Sequence, residues 1–146
     1  MNTGRGFDRV RPDAVVVCVP QHERARVARL VLEAGYPVLV ERSMARTLEE
    51  AEALVDLAGK RRIPLAVAHP LAFEPIFARM HDVVRQDALG PVEHARSAMF
   101  VSRVFAPRPR RGPGRLDPRR VAGGVVAHLG TDLLFVLLRL LGVPVE

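Results

Sequence analysis

The chain has 146 residues, a formal charge of +6 and 49% apolar residues. That length suffices for one domain, which would bury about 70% of its unfolded surface, and the apolar content argues against overall disorder. The positive charge is almost all arginine, aromatics make up only 5%, and the arginine excess lies late in the chain, so composition speaks against a dedicated nucleic-acid binder.

Residues 1–12 are polar and read as a loosely held terminus. Their Gly4-Arg5-Gly6 is a fragment of a dinucleotide fingerprint. It is rejected, because no strand precedes it and no helical pattern follows before Pro12. No apolar signal pattern opens the chain. The single cysteine, Cys18, sits in an apolar run and reads as a small core residue; a reducing, cytoplasmic setting fits.

Residues 13–43 organise the rest. The apolar runs 14–19 and 38–40 read as buried strands. Between them Val27, Leu30, Val31 and Ala34 share one helical face. Strand, helix and strand within about thirty residues make a right-handed βαβ unit. Ligands bind at the carboxyl ends of strands in such sheets. Here those ends carry Val19-Pro20-Gln21-His22 and Glu41-Arg42-Ser43.

Thr47 with Glu50 forms a capping box that starts a second helix. Its apolar face is Leu48, Ala51, Leu54, Val55 and Ala58, and Gly59 with the cations after it marks its end. Residues 65–68 form a third short strand ending at His69-Pro70. A third helix runs from about Glu74 to Ala88, with Ile76, Phe77, Met80, Val83 and Val84 inward. Residues 91–101 alternate loosely and predict a strand outside the first sheet. Residues 103–120 hold seven arginines and four prolines and read as a loop or disordered insert. The segment from Val125 to Leu141 is strongly apolar but only 17 residues long, and it carries His128, Asp132 and Arg139. A spanning helix needs about 20 mostly uncharged residues, so it reads as a buried helix.

Taken in order, DAVVVCVP-QH, LEAGYPVLVERSMARTLEEAEALVDLAGKRRIPLAVAHPLAF, ALGPVEHARSAMF and GG-VVAHLGTDLLFVLLRLLG resemble the Gfo/Idh/MocA oxidoreductases. These are NAD(P)-dependent dehydrogenases of sugars, polyols and related compounds. The resemblance runs from Pro12 to Gly142, the Arg/Pro insert excepted. It implies an α/β fold: a partial Rossmann-like parallel sheet with the beginning of an α+β substrate domain. The expected division is a loose terminus at 1–12, the C-terminal half of the nucleotide-binding domain at 13–90, and the start of the substrate domain at 91–146.

The resemblance also assigns residues. Val19, Pro20, Gln21, His22, Glu41 and His69 fall on the cofactor side, the cofactor being NAD or NADP. Arg42 stands where the family has its catalytic lysine. His128 and Asp132 stand in the helix motif Asp-x-Gly-x-His-x-x-Asp, with the first acid and the histidine exchanged for one another. Phe135 replaces a further acid, and Ala72 an arginine. Arginine stays charged and is no exchanging base. Arg42 would therefore hold the substrate oxygen, while His128 and Asp132, four apart on one helix face, do the acid/base work. The other reading of that pair is two polar groups satisfying each other in a buried helix. For His22 the other reading is helix capping, for His69 a satisfied core imidazole, and for Glu41 a surface acid.

The family's glycine-rich loop and most of its second domain are not in this chain. The expectation is a fragment, or an early-truncated product, with an exposed sheet edge that leaves it marginal or homo-oligomeric. The implied partner is a sugar-like small molecule, with neither a membrane nor nucleic acid. Two further readings remain at this point: a non-catalytic relative that has lost the lysine and the cofactor loop, and salt-sensitive nucleic-acid binding through the basic insert.

Overall fold

The structure, a computed structural model, describes residues 10–100, 123–124 and 126–142, with only the backbone of His128. The insert at 103–120, where the Arg/Pro loop is expected, lies outside the described residues, as does the terminus at 1–9. The described residues group into two compact units, one holding residues 10–68 and 123–124 and the other 69–100 and 126–142.

In the first unit three parallel strands lie in the order β1-β2-β3: β1 Val15–Val17, β2 Val38–Glu41 and β3 Leu65–Ala68. Val17 pairs with Val40, and Glu41 with Ala68, so the carboxyl ends of the strands finish level. Helix α1, Gln21–Glu33, joins β1 to β2, and α2, Leu48–Arg61, joins β2 to β3. The strand order never reverses. Two same-handed crossovers moving one way along a sheet put both helices on one face. The core bears this out: Val17, Val38 and Val40 pack with Ala28, Val31 and Leu32 of α1 and Leu54 and Ala58 of α2. Each fully buried Val or Leu contributes about 1.5–3 kcal/mol.

The strands are therefore buried on one face, not on two. Among the described residues nothing covers the opposite face, where Val16 is 62% and Leu39 38% exposed. Cys18 follows the same alternation and is exposed. It is not a core residue, because Val17 takes the inward position. The helix faces also differ from the expected ones. In α1 the buried line runs through Ala28, Val31 and Leu32, with Ala34 exposed beyond the helix end. In α2 it narrows to Leu54 and Ala58, while Leu48 and Val55 are exposed.

Caps set the helix ends. Gly35, at φ 90°, ends α1; its N–H donates to the Leu32 carbonyl at 3.0 Å, and the Tyr36 N–H to Val31 at 3.2 Å. Half of the expected box forms at the start of α2: the Glu50 N–H donates to Thr47 Oγ1 at 3.2 Å, while Glu50 Oε2 accepts from the N–H of Arg46, one residue before the cap, at 2.9 Å. The helix runs through Gly59 and ends on Arg62, a left-handed residue at φ 54°.

In the second unit a 3-10 turn, Pro70–Phe73, leads into α3, Pro75–Arg85. A π-helical turn, Val126–Gly130, precedes α4, Thr131–Leu140, so the expected single helix is two pieces. On α3 Phe77, Val83 and Val84 are half-buried, while Ile76 is 63% and Met80 41% exposed. No strand forms among the described residues 91–100. A strand exists through its ladder, and none of the described residues pairs with that segment. No helix among the described residues is long and apolar enough to cross a membrane.

Candidate functional site

In the first unit the sequence-assigned residues meet at the carboxyl ends of β1 and β2. Val19 and Pro20 follow β1, and Gln21 and His22 open α1. Glu41 is the last residue of β2, followed by Arg42 and Ser43, all three half-buried. The Arg42–Ser43 peptide bond is cis.

Arg24, which sequence reasoning passed over, joins the two loops. Its Nε donates to the Val19 carbonyl at 2.9 Å, and its Nη1 donates to the carbonyls of Arg42 and, at 3.1 Å, Ser43. One planar guanidinium thus ties three backbone carbonyls from two strand ends. Burial pushes the Arg24 guanidinium below its usual value, opposed by the charges of Glu41 and Cys18. A signal was available. A cation near a helix N-terminus opposes the dipole, so an arginine there needs another reason to be in place.

His22 does not cap α1, since no side chain caps that helix. Its Nε2 lies 3.8 Å from Glu23 Oε1, and its Nδ1 is buried with no hydrogen bond among the described residues. The hydrogen bond and charge of Arg26, 2.6 Å away, hold the Glu23 carboxyl below its usual range. An orphaned imidazole nitrogen beside a loop at a strand's carboxyl end is a donor or acceptor held ready for a polar ligand. That fits a nucleotide cofactor, with Glu41 available to accept from a hydroxyl or carboxamide.

The second unit holds a separate cluster. His69, the residue after β3, puts its Nδ1 3.7 Å from Asp132 Oδ1, with side-chain exposures of 18% and 5%. Phe135 stacks flat on the imidazole, with ring centroids 4.0 Å apart and planes within 5°. Asp132 lies in the first turn of α4, which continues directly from the π-helical turn. Phe135 follows Asp132 by three residues, which puts both on one helix face. The structure thus joins Asp132 to His69. The side chain of His128, the partner expected from sequence, lies outside the described residues. The backbone of His128 sits in the π-helical turn.

A cavity of about 120 Å³ between α3 and α4 is lined by Phe77, His81, Asp82 and Arg139, among others. It is well under the ~300 Å³ of ordinary ligand pockets and is not the site.

Comparison with known proteins agrees with this fold. The sequence model of the Gfo/Idh/MocA family, described as an oxidoreductase family with an NAD-binding Rossmann fold, matches residues 6–69. A dehydrogenase of Aspergillus oryzae is 36% identical over 80 residues, covering 55% of this chain and 22% of that protein. A myo-inositol dehydrogenase of Streptomyces leeuwenhoekii is 32% identical over 117 residues, covering 80% of this chain and 33% of that protein. Among solved structures, an oxidoreductase domain protein from Kribbella flavida superposes with a TM-score of 0.84 at 27% identity, over 95% of this chain and 38% of its own. The chain therefore spans a third or less of these two curated relatives. Residues 6–69, the part that the family model matches, are similar to the Gfo/Idh/MocA oxidoreductases, and the three parallel strands with their helices form a Rossmann-like fold.

Proposed function

We propose that this chain is part of an NAD(P)-dependent dehydrogenase that moves a hydride between the nicotinamide and a sugar- or polyol-like alcohol. The observation that carries the reading is the Arg24 clamp. It gathers the Val19–His22 loop and the Glu41–Ser43 loop at the ligand-binding ends of two parallel strands. The relatives support the substrate class, one of them being a myo-inositol dehydrogenase.

The bound cofactor supplies the hydride acceptor. The chain's own residues do the rest. Val19, Pro20, Gln21, His22, Glu41 and His69 are assigned to the cofactor side. Arg42 holds the substrate oxygen by donating to it, and keeps its own proton. The resemblance puts proton exchange on His128 and Asp132, and the approach of Asp132 to His69 makes His69 a second candidate for that proton. We keep residues 13–90 as the nucleotide-binding part and 91–146 as the start of the substrate part; the compact units of the described residues divide earlier, after Ala68. A cytoplasmic setting goes with this reading.

Titration with NADH and NADPH, read by the enhancement of their own fluorescence, tests it. Weak enhancement, at high cofactor concentration, is expected with either cofactor, since the family's glycine-rich loop is not in this chain. Glu41→Gln should weaken binding about tenfold, the loss of one charge-assisted hydrogen bond. No enhancement with either cofactor up to millimolar concentration, or identical affinity in the Gln variant, would overturn the assignment.

A further inference from the structure

The pair in the second unit carries more than the family resemblance assigned to it. His69 stood among the cofactor contacts and Asp132 was matched with His128. The structure brings His69 and Asp132 to each other, and the surroundings decide what that contact does.

The Nδ1 atom of His69 is sealed from solvent and makes no hydrogen bond among the described residues. It faces the Oδ1 of a carboxylate that is itself almost fully buried. Water does not reach Nδ1, so its neighbour across the 3.7 Å gap governs which tautomer is favoured. A bare Nδ1 would turn its lone pair toward the carboxylate, which is repulsive. A protonated Nδ1 turns an N–H dipole toward it, which is attractive. Phe135 stacks on the ring face at 4.0 Å, and this resists rotation of the imidazole out of that orientation. The 18% of the side chain that stays exposed lies away from Nδ1.

The geometry points to Asp132 as the positioning residue that fixes His69 in the Nδ1–H tautomer, leaving the Nε2 lone pair as the proton acceptor for a hydroxyl ligand. The acceptor role rests on the dehydrogenase reading above; the tautomer does not. In that reaction the alcohol O–H bond breaks and its proton goes to Nε2. The carbon's hydride goes to the nicotinamide, the alcohol becomes a carbonyl, and the imidazolium formed is stabilised by Asp132. An aspartate behind an imidazole is a standard way to hold one tautomer and steady its cation.

The test is long-range 1H–15N correlation of the histidine rings in the uniformly labelled chain, above the titration of His69, which is assigned through His69→Gln. The expected result is an Nδ1–H pattern for His69 in the unmodified protein. In Asp132→Asn that pattern should be lost in favour of Nε2–H, with the signals of His81 and His94 unchanged. An Nε2–H pattern in the unmodified protein overturns the inference without recourse to any variant. So does an Nδ1–H pattern that persists in Asp132→Asn. If the chain fails to bind either nicotinamide cofactor yet shows the Nδ1–H pattern, the dehydrogenase reading falls and Asp132 still positions His69.

Discussion

Arg24 shows how one side chain couples two loops that are distant in sequence. Its guanidinium donates to the carbonyls of Val19, Arg42 and Ser43. Arg24→Ala is expected to lower stability in urea unfolding by about 1–3 kcal/mol and to weaken NADH binding as the two loops part. Arg24→Lys should recover little of either, because an ammonium on a flexible stem does not present the planar fork that reaches three acceptors. Full recovery by lysine would mean that charge, and not geometry, is what holds the loops. At this scale sequence reading succeeded unevenly. The loop residues were legible because they end apolar runs. Arg24 and Phe135 were not, because Arg24 reaches carbonyls 18 and 19 residues ahead of it and Phe135 stacks on a ring far back along the chain. Cys18 was misread because strand alternation, and not the apolarity of its neighbours, decided which way it points.

Among the elements, α2 was the most legible, because its start is written in local chemistry. Thr47 accepts from the Glu50 N–H, and the Glu49 carboxyl is held below its usual value, first by its own backbone N–H and then by the Thr47 side chain. Thr47→Ala should cost about 1 kcal/mol in thermal or urea unfolding. The sign of the pH effect follows from the depressed carboxyl. Its contribution is fully present above the ordinary value of 4.5 and fades as pH falls through the lowered one. In Thr47→Ala, Glu49 should titrate closer to 4.5, and the stability difference between the two proteins should narrow in acid. The strands and the first two helices were legible for similar local reasons. The helix end at Arg62 was less so, since a left-handed arginine is disfavoured by sterics and Gly59 offered a better-looking stop. The π-helical turn at Val126–Gly130 had no period of its own to betray it, and so the segment reads in sequence as one helix.

At the scale of the whole molecule the one-sided sheet governs behaviour. Three strands in unbroken order place both helices on one face, and among the described residues Val16 and Leu39 stand open on the other. The expectation of an exposed sheet edge came from the resemblance; the exposed face comes from the topology, and periodicity could not show it, since both faces of these short strands are apolar. Burying such a face is worth about 25 cal/mol per Å², and a net charge of +6 opposes self-association only weakly once salt screens it. We therefore expect the isolated chain to associate with copies of itself, more strongly as salt rises, in sedimentation velocity. Val16→Lys with Leu39→Lys should shift it toward monomer. Circular dichroism should stay unchanged, because both side chains point away from the core formed by Val17, Val38 and Val40. A monomer at all salt concentrations before substitution would mean that the open face is not a surface the chain buries by itself. Association that persists in the double variant would place the contact elsewhere, such as the outer edges of β1 and β3, which pair with no further strand among the described residues.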